Sequence, residues 1–242
     1  MTDILLEVCV EDASGLIAAV EGGADRIELC SALSVGGLTP SAGLMALGAR
    51  LPVPTYAMIR PRAGDFCFSP ADIDIMRRDI DAARSAGLAG VVLGASLADG
   101  SLDVATLRRL ADHAAGLGLT LHRAFDLVSD FAEAVEIAVA LGFERILTSG
   151  GARSAPEAVD ALEEIIAAAG GRISIMPGSG VTARAVDALL PRLRITELHS
   201  SCSADVPAQD SRLVSLGFVT PSARRTDAAL VKALKARLSD VR

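Results

Sequence analysis

Eight short apolar runs punctuate the chain, and segments of helical periodicity lie between them. The runs are ILLEVC (4–9), RIELC (26–30), TYAMIR (55–60), GVVLG (90–94), LTLHR (119–123), RILTS (145–149), ISIMP (173–177) and ITELH (195–199). Their length is that of buried strands. In residues 72–86, Ile73, Met76, Ile80 and Ala83 recur at helical spacing. Ser69 suits the N-cap of that helix, with Pro70 at its first position and Asp72 at its third. In 155–169 the stripe is Val159, Leu162 and Ile166, and Ser154 with Glu157 has capping-box spacing before it. Leu107, Leu110, Ala111 and Ala114 mark another helix. GADRIEL (23–29), GLAGVVL (87–93) and GFERILT (142–148) repeat one unit: a helix-stopping Gly, a short link, then a strand.

Strands that alternate with helices predict a parallel sheet. Eight units in about 200 residues fit a closed α/β architecture, the (β/α)8 TIM-type barrel. An open doubly wound sheet is the alternative, but the first strand is not followed by the GxGxxG turn of a dinucleotide fold. No Pro/Gly/Ser-rich linker divides the chain, so residues 1–242 read as one domain. Residues 203–223 read as a loop over the barrel mouth and 226–239 as a terminal helix.

Composition narrows the function classes. The chain is 51% hydrophobic but 3% aromatic, so its core must be built from Ala, Val, Ile and Leu. Net charge is −7 and the basic residues are scattered, which argues against a nucleic-acid surface. No apolar run approaches the roughly 18 residues that span a bilayer, so no membrane partner is expected. MTDILLEVCVED lacks the basic region of a signal peptide, so a cytoplasmic location is expected. Homo-oligomerisation is expected as the common state of soluble proteins. The four cysteines form no CxxC and no zinc-like spacing, so free thiols are the expectation.

Sites of such barrels lie at the carboxyl ends of the strands. Residues two apart on a strand share a face. Glu7 therefore goes with Cys9, Glu28 with Cys30, Met58 with Arg60, and Glu197 with His199. His122 is the candidate general acid or base, because its ordinary pKa lies near neutrality. Glu7 or Glu28 would orient it or act as the opposing base. Asp126, in TLHRAFD, is a further mouth residue. Arg60 either clamps a carboxylate or phosphate or pairs with Glu7 or Glu28. The turns Ser149-Gly150-Gly151 and Gly178-Ser179-Gly180 can converge backbone N–H groups on an anion, or are plain tight turns. Together these residues suit a small anionic or phosphorylated metabolite. Cys9 and Cys30 end neighbouring strands, about 5 Å apart by strand spacing. With Met58 one strand over they offer a soft site for Cu(I), or else are small buried hydrophobes. Alongside the site reading stands a bland one, a network of ion pairs that holds the barrel closed.

The chain resembles the CutC family of copper homeostasis proteins. The resemblance is carried by LLEVCVEDASGLIAAVEGGADRIELCSALSVGGLTPS, PTYAMIRPRAGDFCFS, TLHRAFD, RILTSGG, MPGSGV and ELHSS, in order over roughly residues 5–201. It implies a TIM-type barrel, a cytoplasmic location and a role in copper tolerance or Cu(I) handling. Cys9 and Cys30 as copper ligands rest on the residues, not on the resemblance.

Overall fold

Every predicted apolar run becomes a short strand, and each strand lies parallel to its neighbours. The computed structural model describes residues 4–240. Its barrel strands are β1 (Leu5–Val10), β2 (Arg26–Leu29), β3 (Thr55–Met58), β4 (Gly90–Leu93), β5 (Gly118–Leu121), β6 (Arg145–Thr148), β7 (Ser174–Pro177) and β8 (Glu197–Ser200). The hydrogen-bonded order is β7-β6-β5-β4-β3-β2-β1-β8, with β7 packed beside β8 to bring the barrel close to closure. Cys9 is the register partner of Glu28, and Glu7 that of His199.

The intervening helices are α1 (Ala13–Gly22), α2 (Ala42–Gly48), α3 (Pro70–Ala86), α4 (Val104–His113), α5 (Phe131–Ala140), α6 (Val159–Ala169) and α7 (Ala183–Leu189). The capping box at Ser69 and Asp72 forms as its spacing predicts: each side chain bonds the other residue's backbone N–H. The second predicted box does not. Ser154 donates to the Glu157 carboxylate at 2.6 Å, residues Ala155–Glu157 make a 3-10 turn, and α6 starts at Val159. Neither that turn nor α6 has a side-chain hydrogen bond at its N-cap.

The apolar core lies between barrel and helices. Leu6, Val8, Ile27 and Leu29 point outward onto Leu16, Ala19 and Val186. Leu93, Leu121 and Ile146 do the same against Ile80, Leu107 and Val135. Alternate residues therefore face the barrel axis, and many of these are polar, with Met58, Val92, Leu147 and Met176 among them.

Residues 203–223, read as a loop, instead hold two further strands and a short helix. β9 (Ser203–Pro207) and β10 (Ser222–Thr226) form an antiparallel ribbon that carries α8 (Ser211–Ser215) at its tip side. Its sequence has no apolar run to signal strands; Arg224 ties the two strands by donating to the Ser203 hydroxyl at 2.9 Å and the Ser203 carbonyl at 2.6 Å. The terminal helix α9 (Ala228–Asp240) packs on α1, where a Cβ at Gly22 would come within 2.4 Å of Val231. No helix among the described residues is long and apolar enough to cross a membrane.

Candidate functional site

Two polar layers fill the barrel. The lower one is an ion-pair lattice. The Arg26 guanidinium donates to the carboxylates of Glu7 and Glu197. Arg145 donates to Glu197 at 3.1 Å and to the Thr120 hydroxyl at 3.0 Å, and pairs with Glu144 at 2.9 Å. The Tyr56 ring lies against both guanidinium groups, 5.6 Å from Arg26 and 4.9 Å from Arg145. Such a lattice keeps each buried charge paired. Arg26, Arg145 and Tyr56 are absent from the sequence-based candidates, although Arg26 shares the face of Glu28 by the same two-residue rule.

The upper layer faces a cavity of about 1230 Å³ at the carboxyl ends of the strands, with the β9–β10 ribbon as one wall. Cys9, Glu28 and His199 line it, and one potential ligand atom from each lies within 4.8 Å of the others. His199 Nδ1 is 2.8 Å from Glu7 Oε1, and its Nε2 is 3.9 Å from Glu28 Oε2. His199 was legible only as a strand-end residue; its pairing with Glu7 arises from the β1–β8 register.

Charge in this layer is set by burial and by neighbours. Burial alone would raise the Glu7 pKa, but the His199 hydrogen bond and the Arg26 charge bring it down to about 2. Glu7 is thus a fixed anion that orients His199. Burial raises the pKa of Glu28; His199 opposes the rise and Glu7 reinforces it. Burial would lower the His199 pKa, yet Cys9 and the carboxylates of Glu28 and Glu7 hold it well above the ordinary imidazole value.

Arg60 is 5% exposed and makes no ion pair among the described residues, although the charge of Asp65 reaches it. It donates from Nη1 to the carbonyls of Val35 at 2.8 Å and Gly37 at 3.1 Å, and from Nη2 to that of Gly64 at 2.7 Å. Of the expected partners, Glu7 is held by Arg26 and His199, and Glu28 faces His199 rather than Arg60. His122 is 3% exposed; its Nδ1 accepts from the Ala124 N–H at 3.1 Å. Burial, then the Arg60 charge, lowers its pKa to about 3. His122 is therefore a neutral ring that carries its proton on Nε2. In that state His122, expected as a general acid or base, offers a hydrogen-bond donor at Nε2.

The two glycine turns differ. The Ser149–Gly151 turn already holds an anion, the carboxylate of Asp126. Asp126 accepts from the backbone N–H groups of Ser149 at 3.0 Å and Gly151 at 3.1 Å, and from Thr148 Oγ1 at 2.5 Å. Arg123 Nε completes the shell at 2.7 Å. Both Asp126 oxygens are thus taken up in buttressing the turn, and Asp126 is not among the residues that line the cavity. In the second turn the Gly178 N–H is bonded to Thr148 O at 2.9 Å, while Ser179 and Gly180 reach the cavity wall.

Cys30 does not join Cys9 in the ligand group. Its thiol donates toward Glu28 at 3.5 Å and packs with Tyr56, Met58 and Val92. Burial, then the nearby Glu28 charge, pushes it well above the usual thiol pKa.

Fold and site together define a (β/α)8 barrel whose mouth carries a buried acid–imidazole–thiol cluster. The chain belongs to the CutC family, whose model matches residues 4–204. A family protein CutC from Rhizobium meliloti is 71% identical over 98% of this chain and 97% of that protein. The crystal structure of a CutC protein from Streptococcus agalactiae, provisionally assigned to copper homeostasis, superposes with a TM-score of 0.78. It is 32% identical and covers 82% of this chain and 98% of that one. Phosphoribosylanthranilate isomerase from Thermotoga maritima shares the barrel alone, with a TM-score of 0.60, 13% identity, and coverage of 98% of this chain and 99% of its own.

Proposed function

We propose that this protein acts on a small organic molecule by proton transfer at the barrel mouth, with Glu28 and His199 as the transferring pair. The observation that carries this reading is Glu28 Oε1. It is buried, has no hydrogen-bond partner among the described residues, and belongs to a side chain that lines the cavity. A bare buried acceptor costs about 1–3 kcal/mol, and a ligand proton would satisfy it. A carboxyl group with a raised pKa is suited to take and return protons near neutrality. His199 supplies or receives the second proton, and Glu7 with Arg26 behind it keeps the imidazole in place. The reaction class is isomerisation, lyase chemistry or hydrolysis. A cytoplasmic location accompanies this reading, supported by four cysteines that are all free thiols.

The test is a small-metabolite screen by thermal shift, followed by NMR in D2O on each molecule that binds. The expected result is deuterium uptake by a bound molecule with wild type and none with Glu28→Gln. If no molecule that stabilises the wild type ever exchanges a proton, the reading is wrong.

A second reading takes Cu(I) as cargo, supported by the Cys9–Glu28–His199 group and by the assignment of the Streptococcus agalactiae relative. The donors are one thiol, one imidazole and one carboxylate, fewer soft ligands than Cu(I) favours. His199 Nε2 would have to shed its proton first. Competition with a Cu(I) chelator should find binding lost in Cys9→Ser and kept in Cys30→Ser. Equal affinity in wild type and Cys9→Ser would remove this site.

A further inference from the structure

We propose that Arg60 Nε and His122 Nε2 form an oxyanion subsite in the barrel mouth, which holds a carboxylate or phosphoryl group of the small molecule. The inference rests on the reading above for the presence of a substrate, and on different atoms for its geometry.

Arg60 is a buried cation with no carboxylate in ion-pair contact among the described residues; Asp65, whose charge reaches it, is bonded to Arg62. Its three hydrogen bonds go to the carbonyls of Val35, Gly37 and Gly64, which satisfy N–H groups but cancel no charge. Its Nε is buried and has no partner among the described residues. A lone buried charge is costly unless an opposite charge meets it. The neighbouring acids are committed: Glu7 to Arg26 and His199, Asp126 to the Ser149–Gly151 turn, Asp65 and Asp72 to Arg62. Glu28 lines the same cavity but makes no ion pair with Arg60, so an anion from outside the chain would supply the missing charge.

His122 makes the same demand from a second strand. Its Nδ1 accepts from Ala124, so the ring proton sits on Nε2, which is buried and unpartnered. One aromatic ring supports both donors. Phe66 lies 4.8 Å from the His122 ring centre and 4.9 Å from the Arg60 guanidinium. Gly94 leaves the room for His122, since a Cβ there would stand 2.5 Å from its ring. The packing thus holds two donors rigid with nothing to donate to.

The side chains of Arg60 and His122 both line the cavity that Glu28 lines, with the two donor nitrogens themselves buried. Neither offers an acceptor, so the pair rejects cations, and the uncancelled Arg60 charge prefers an anion to a neutral carbonyl. Glu28 Oε1 presents the complementary acceptor. The ligand class is therefore a small acid, or phosphate ester, whose anionic group sits on Arg60 and His122 while a proton-bearing atom faces Glu28.

The test uses the wild-type protein, titrated separately with inorganic phosphate and with acetate at constant ionic strength. Three histidines are present in the chain, so the ring 15N resonance of His122 can be followed with His113 as an internal control. A saturable shift of His122, with His113 unmoved, is expected from at least one anion; which one responds tells phosphoryl from carboxylate. Arg60→Lys keeps the charge and loses Nε, and should weaken the binding roughly tenfold to a hundredfold. If neither anion moves His122 in the wild type, or if Arg60→Lys and Arg60→Met bind as tightly as wild type, the subsite is refuted. In that case Glu28-dependent proton exchange on a neutral ligand would still leave the reaction assignment standing; loss of that exchange alone would remove the assignment and leave the anion subsite.

Discussion

Glu7 and His199 are register partners across the β1–β8 ladder, and Nδ1 of the imidazole lies 2.8 Å from Oε1 of the carboxylate. The same carboxylate takes the Arg26 guanidinium on its other oxygen. Removing its charge in Glu7→Gln leaves a buried cation short of a partner, and about 3 kcal/mol of stability should go with it. Glu7 titrates near 2 in the folded protein against 4.5 as its ordinary value. Its contribution is therefore complete above about pH 4.5 and fades as pH falls toward 2. Urea midpoints of wild type and Glu7→Gln should differ most at neutral pH and converge across that acid window. A gap that persists at pH 2 would exclude this account.

His199 gives the opposite pH signature. Its folded pKa stands well above the ordinary 6.5. The stability it supplies is full below pH 6.5 and is lost as pH rises through the folded value. The advantage of wild type over His199→Gln in urea unfolding should shrink toward alkaline pH. An advantage that grows with pH would contradict the imidazolium.

Asp126 is the internal anion of the Ser149–Gly151 turn. Asp126→Ala frees two backbone N–H groups, the Thr148 hydroxyl and Arg123. A loss of roughly 2–4 kcal/mol is expected, above a single neutral bond because the acceptor is charged. Formate should restore part of the melting temperature of Asp126→Ala and leave the wild type unchanged. No rescue by formate would mean that the turn does not hold its shape without Asp126.

Tyr56 acts through its ring more than through its hydroxyl. The hydroxyl donates to Glu144 at 3.1 Å, and Glu144 is half exposed. Tyr56→Phe should therefore cost below about 1 kcal/mol. Tyr56→Ala should cost about 3–5 kcal/mol, because it opens a cavity and strips the face from Arg26 and Arg145. Gly90 and Gly118 leave the room for that ring, as a Cβ on either would come within 2.2 Å of Tyr56. Chemical denaturation of the two variants separates the ring from the hydroxyl.

Much of the barrel was legible because its signals are local. A buried parallel strand needs a short apolar run, and a helix start needs a capping residue; Ser69, Pro70 and Asp72 carry both the residue types and the spacing. The ribbon at 203–226 escaped because its strands are polar and pair with each other rather than with the core. The two-residue alternation also places Glu7, Glu28 and His199 on the inner face without any knowledge of the partners.

Sequence by itself determined the eight strands, the inward parity and the set of charges at the mouth, since each follows from residue type and period along one segment. Tertiary structure alone decided which charge meets which. Glu7 lies 192 residues from His199, and only ring closure of the sheet makes them neighbours. Pairing of the adjacent strands β5 and β6 delivers Asp126 to a turn 23 residues ahead, and the loops beside β3 leave Arg60 with carbonyls instead of a carboxylate. Pairing energies fall steeply with distance and desolvation, so the chemistry of this mouth is settled by packing, down to the atoms left without a partner.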